Sequence, residues 1–165
     1  MASNNQTEIV AEPGKQELFI KREFEAPREL VFRAFTDADM LVKWLGPCNM
    51  KMRIDKHEAH AGGAYRYVHI DPQGNEYGFH GVSHEMLVPE RLIRTFEFEG
   101  LPETGHVVLE TARFESLPND RTRVTIQSVF QSVADRDGMV QAGMEYGVKE
   151  SHQMLDDFLA QQLVN

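Results

Sequence analysis

Histidine is the residue type best suited to proton transfer near neutral pH, and this chain has seven. Their spacing argues against a metal centre. His80 and His84 would share a face if they lay on a helix. On the strand assigned there they also share a face, but their Cα atoms stand about 13 Å apart, too far to chelate one ion. His57 and His60 point to opposite faces of a strand. No cysteine pair or HExxH helix completes a ligand set, so no metal and no other cofactor is expected. Cys48, the single cysteine, follows a Gly46-Pro47 turn with no base evident beside it. No GxSxG supplies a nucleophilic serine, and the glycines form neither GxGxxG nor a P-loop. His69, His80 and Glu85 remain as acid–base candidates for a cavity enzyme of cyclase or hydrolase type. No two of them can be placed within hydrogen-bond reach from sequence alone, and the balance is against catalysis.

Aromatic residues recur at period two. Tyr65, Tyr67 and His69 share one face of a strand, and Phe96 and Phe98 share a face of another. Such faces make either plain core or the wall of a cavity, where a tyrosine hydroxyl needs a partner or a ligand. Arg22 lies on the same face as Ile20 and Phe24. If that face is inward, its guanidinium requires a carboxylate.

The elements that must position these residues follow from periodicity. Residues 17–25 alternate as a half-buried strand. Ala26-Pro27 opens a helix carrying Leu30, Val31, Ala34 and Phe35, and Thr36-Asp37 caps a second short helix through Leu41 and Trp44. Strand-like runs follow at 50–58, 64–70, 76–88, 91–99, 106–117 and 121–131, joined by short turns such as Gly62-Gly63 and Asp71-Pro72-Gln73-Gly74. Short joints between successive strands imply an antiparallel meander. Ser132 with Asp135 then caps a helix expected to run unbroken from Ala134 to Leu163, about 45 Å at 1.5 Å per residue. Val140, Met144, Gly147, Val148, Ser151, Leu155, Phe158 and Leu159 form its inward stripe. Two glycines inside a helix cost roughly 1 kcal/mol each, so a close approach by sheet backbone or by a ligand is expected there.

This order predicts an α+β fold. A curved seven-stranded antiparallel sheet wraps a long C-terminal helix, with two short helices after the first strand. A single helix laid over a curved sheet leaves space that side chains fill or a pocket occupies. Residues 1–15 read as a flexible polar tail and 16–165 as one domain. At 165 residues with 41% hydrophobic content, that domain needs neither metal nor disulfide to fold. A net charge of -9 without a basic stripe disfavours nucleic acid and anionic membrane as partners. No run approaches the roughly 18 apolar residues of a membrane span. With one cysteine and no basic-then-apolar leader, a reducing cytoplasm is the simplest compartment. Monomer and homodimer are both compatible with the sequence.

Arg22-x-Phe24-x-Ala26-Pro27, Val31-Phe32-x-Ala34-Phe35-Thr36-Asp37 and Leu41-x-x-Trp44-x-Gly46-Pro47 together resemble the N-terminal signature of the SRPBCC, or START-like, superfamily. The branch they are most similar to is that of homologues of the heat-shock protein 90 ATPase activator. Gly62-Gly63-x-Tyr65-Arg66-Tyr67, the run from Asp71 to Gly81, Val88-Pro89-Glu90-Arg91-Leu92 and Gly143-Met144-Glu145-x-Gly147 are similar to the same branch. The resemblance implies a helix-grip fold with a hydrophobic cavity between sheet and long helix. It implies little about activity, since relatives include co-chaperone domains, ligand carriers and an antibiotic-resistance protein. Ala38, Leu45, Val148 and His152 depart from the usual pattern, and the last two lie on or beside the cavity stripe.

The leading expectation is therefore a binding module for a small hydrophobic molecule. Trp44, Met52, Tyr65, Tyr67, His69, Phe79, Phe96, Met144, Gly147, Val148 and Ser151 are the expected contacts. A co-chaperone-like partner of a heat-shock ATPase, with a role in stress response, is the alternative that the resemblance adds.

Overall fold

The computed structural model describes residues 5–164. In chain order the elements are β1 (Glu8–Val10), β2 (Glu17–Phe24), α1 (Arg28–Thr36), α2 (Ala38–Trp44) and β3 (Lys51–His57). They continue with β4 (Ala64–Ile70), β5 (Glu76–Leu87), β6 (Arg91–Phe98), β7 (Val108–Leu117), β8 (Arg121–Val129), α3 (Val133–Gln141) and α4 (Met144–Val164). All strands form one sheet in the order β1-β2-β8-β7-β6-β5-β4-β3, antiparallel throughout. From β3 to β8 each strand pairs with its neighbour in sequence, as the short turns require. The α+β, helix-grip-like architecture is as expected.

Three features differ from the sequence reading. Among the described residues the sheet has eight strands rather than seven, and the two short helices follow its second strand. The extra strand, β1, lies within the stretch read as a polar tail. Its Ile9 stands opposite Ile20 of β2, and Ile9 and Ala11 pack on a buried cluster of Leu18, Ile20, Val108 and Phe130. Three residues are too few to show a period of two, so this strand exists only because its partner does.

The helical segment after β8 is also divided. Ser132 Oγ accepts from Asp135 N at 3.0 Å, starting α3 as the capping pattern predicts. That helix ends at Ala142, and Gly143 takes φ +85°, a left-handed conformation that terminates helices. The remaining helix has 21 residues, about 32 Å rather than 45 Å.

The core forms where α4 and α1 meet the sheet. Phe24, Phe32, Phe35, Trp44 and Phe114 pack with Leu155 and Leu159 of α4. Full burial of each such leucine contributes about 2 kcal/mol. Trp44 Nε1 donates to Ala34 O at 2.9 Å, locking α2 against α1. Asp37 caps α2 by accepting from Asp39 N at 2.9 Å. No helix among the described residues is long and apolar enough to cross a membrane.

Candidate ligand cavity

The core is not continuous. One buried cluster is centred on α1 and the C-terminal half of α4, the other on β2 and the end of β8. Between them lies a cavity of about 320 Å³, in the range of small-molecule sites.

Three walls enclose it. Met144, Gly147, Val148 and Ser151, at helical spacing on the first half of α4, form one wall with Met139 of α3. The sheet supplies the second by strict alternation: Leu92, Arg94 and Phe96 on β6, Val108, Glu110 and Ala112 on β7, Ile126 and Ser128 on β8. The third is the turn after α2, from Trp44 to Pro47.

At Gly147 α4 stands off the sheet, while it packs tightly further on. A Cβ built on Gly147 would meet no atom within 4 Å, so sheet backbone does not approach it. Leu155 and Leu159, two and three turns later, are fully buried.

Of the residues expected from sequence, Trp44, Tyr67, His69, Phe79, Phe96, Met144, Gly147, Val148 and Ser151 all line this cavity. Met52 and Tyr65 do not. They face an adjoining recess of about 30 Å³ under β3. Tyr65 shares its strand face with Tyr67, but sheet twist carries residues two apart toward different neighbours. The Tyr65 hydroxyl is used up as a donor to Thr95 O.

The aromatic face is a ladder rather than scattered core. Tyr67 stacks on Phe79 with centroids 5.2 Å apart, and Phe79 stacks on Phe96 at 5.4 Å. Burial pushes the Tyr67 hydroxyl far above its ordinary value, so it stays protonated.

The sequence reading missed one polar group in this wall. Arg94, Glu110 and Ser128 are direct cross-strand partners on β6, β7 and β8. Arg94 Nε lies 3.4 Å from Glu110 Oε1, and Ser128 Oγ donates to Glu110 Oε2 at 3.5 Å. Each interrupts an apolar period-two run, which was a visible signal. Only strand register shows that they meet.

The acid–base candidates are not assembled. His69 faces the cavity, with its ring packed on the backbone of Gly46. Its Nδ1 is buried without a hydrogen-bond partner among the described residues, and burial lowers the ring's pKa. His80 sits on the opposite sheet face, 2.8 Å from Glu99 and 3.4 Å from Glu97. Glu85 pairs with Arg91. The Cys48 thiol is exposed, and its hydrogen bond to Glu150 raises its pKa, the reverse of activation.

Arg22 is inward, as its strand face suggested. It is 4% exposed and donates from Nη1 to His152 O at 2.6 Å and from Nε to Asn5 O at 2.7 Å. Its carboxylate is Asp156, 3.8 Å away. His152 lines the cavity, and its Nδ1 is 3.0 Å from Thr7 Oγ1.

Comparison with known proteins places this geometry. The family model described as Activator of Hsp90 ATPase homolog 1-like protein matches residues 25–160. A crystal structure of a Rhodobacter sphaeroides protein is similar at 25% identity and TM-score 0.85, covering 94% of this chain and 99% of that one. A solution structure from Arthrobacter aurescens is similar at 26% identity and TM-score 0.84, covering 93% and 91%. An AHSA1 protein from Silicibacter pomeroyi, 20% identical with a TM-score of 0.72 over 88% and 99%, shares the fold. No protein of curated function matches the sequence.

Proposed function

The chain belongs to the family of activator of Hsp90 ATPase homolog 1-like proteins, and on that premise we propose that it binds a small, mostly apolar molecule between the sheet and α4. The observation that carries this reading is Gly147. A glycine inside a helix costs about 1 kcal/mol relative to alanine, and no atom of the described residues approaches closely enough to require it. A ligand seated against the helix backbone supplies that requirement. The aromatic ladder opposite provides the complementary surface.

Binding to the folded state alone raises the melting temperature by mass action. Melting curves across a library of apolar compounds, together with native mass spectrometry of protein purified from its own host, test the proposal. A retained small molecule, or a concentration-dependent rise in Tm that Gly147→Leu removes, supports it. A flat response from the whole library with nothing retained rejects it.

The family match carries a second reading, contact with a heat-shock ATPase. Co-sedimentation with that ATPase and a change in its turnover would support this role, and neither requires the cavity to be occupied.

A further inference from the structure

The cavity is apolar over most of its wall, yet a cation and an anion sit together on its sheet side. We propose that this pair makes the cavity selective for uncharged ligands that present a hydrogen-bond acceptor oxygen, such as a carbonyl, to Arg94 and Tyr67. The inference rests on the binding reading above and specifies the ligand's chemistry.

Arg94 and Glu110 leave a defined set of groups unspent. Their ion pair uses Arg94 Nε, and the terminal Nη fork carries no hydrogen bond to a described residue. The Arg94 side chain is nonetheless only 24% exposed, with its guanidinium carbon 5.5 Å from the centre of the Tyr65 ring. The Tyr67 hydroxyl on the same wall likewise has no hydrogen-bond partner among the described residues. Arg94 and Tyr67 line both the cavity and the adjoining recess, and among the described residues neither donor group has an acceptor. Arginine stays protonated and carries donors in a planar fork, so an oxygen acceptor is what completes it.

Charge decides between acceptors. Glu110 already neutralises Arg94, and Ser128 supports the carboxylate from the next strand. A bound carboxylate would bring one uncompensated negative charge into the cavity beside Glu110. Poorly solvated like charges at such range are costly. A carbonyl accepts the same hydrogen bonds and leaves the site neutral. A pure hydrocarbon leaves both donors unmet, forfeiting the bonds that a polar ligand makes. The preferred order is thus carbonyl first, with hydrocarbon and carboxylate both weaker.

Three fluorescent probes built on one dimethylaminonaphthalene core read this out with the full-length protein. They are prodan (a neutral naphthyl ketone), the parent dimethylaminonaphthalene without the carbonyl, and the matching naphthoate. Prodan is expected to bind about tenfold more tightly than the parent and about tenfold more tightly than the naphthoate. Arg94→Met with Glu110→Leu removes the pair together, which avoids stranding either charge. This double variant should still bind the parent while losing most of the preference for prodan, the remainder being that of Tyr67. Tyr67→Phe, which keeps the ring, should lower prodan affinity and leave the parent unchanged.

Equal binding of prodan and parent by the native protein overturns the selectivity while leaving the cavity reading intact. Tighter binding of the naphthoate overturns the charge argument. Binding of none of the three overturns this proposal together with the reading beneath it. A double variant that retains the full prodan preference removes Arg94 and Glu110 from the account.

Discussion

Ser151 grips the backbone of Gly46 from both sides: its Oγ accepts from Gly46 N at 2.8 Å and donates to Gly46 O at 3.0 Å. This buried clasp ties α4 to the turn after α2, and therefore sets one edge of the cavity. Ser151→Ala leaves the Gly46 amide and carbonyl without these bonds, at a cost of about 1–3 kcal/mol. A lower urea midpoint with an unchanged fold by circular dichroism is the expected result. An unchanged midpoint would show that the clasp contributes nothing.

Gly143 and Gly147 look alike in sequence and differ in kind. Gly143 has φ +85°, whereas Gly147 lies within α4 and faces open space. Gly143→Ala should destabilise by about 1 kcal/mol, and Gly147→Ala should stabilise by a similar amount. Thermal denaturation of the two variants should therefore shift in opposite directions. Shifts of the same sign would contradict this division of the helix.

Filling the cavity separates stability from binding. Gly147→Leu projects a side chain into the space between α4 and the aromatic ladder. Probe binding should be lost while Tm holds or rises, because no atom of the described residues stands within 4 Å of the new Cβ. Loss of both binding and fold would mean that the space is smaller than the structure indicates.

Acid should weaken the fold through His152. Burial first, and then the Arg22 cation, push its pKa from 6.5 to about 3. The unfolded ring takes up a proton near pH 6.5, as a free histidine does, while the folded ring stays neutral to about pH 3. Between these limits the unfolded state binds more protons, so stability falls as pH falls through that window. His69, lowered by burial, acts in the same direction. Asp156, raised by burial, opposes it in the acidic part of the range. Urea midpoints should decline from about pH 7 to about pH 4.5, and His152→Gln should remove much of that slope. Parallel profiles for the two proteins would assign the acid sensitivity elsewhere.

Arg22 should be a costly buried charge to remove. Arg22→Met deletes two hydrogen bonds to backbone carbonyls and the contact with Asp156. Leaving those groups unpaired in a buried site costs about 3 kcal/mol. Equilibrium unfolding measures it, and a loss under 1 kcal/mol would show that solvent replaces these partners readily.

Much of the fold was legible from periodicity. The alternation from residue 50 to 131 located six strands within two residues of their ends, because each turn carries its own glycine, proline or asparagine. The caps at Asp37 and Ser132 were equally local. Strand β1 was not legible, since its Ile9 is ordered by Ile20 across the sheet and not by its own neighbours.

The candidate site divides along the same line. Local pattern determined which residues point inward: Tyr67, His69 and Phe96 on strands, Met144, Val148 and Ser151 on the helix. Only the tertiary structure decided which inward positions meet. It separated Tyr65 and Met52 from the cavity, gave Gly143 and Gly147 opposite roles, and brought Arg94, Glu110 and Ser128 side by side. Facing direction follows from backbone geometry within a few residues. Contact depends on register and on where α4 lifts from the sheet, and those are set by partners far away in the chain.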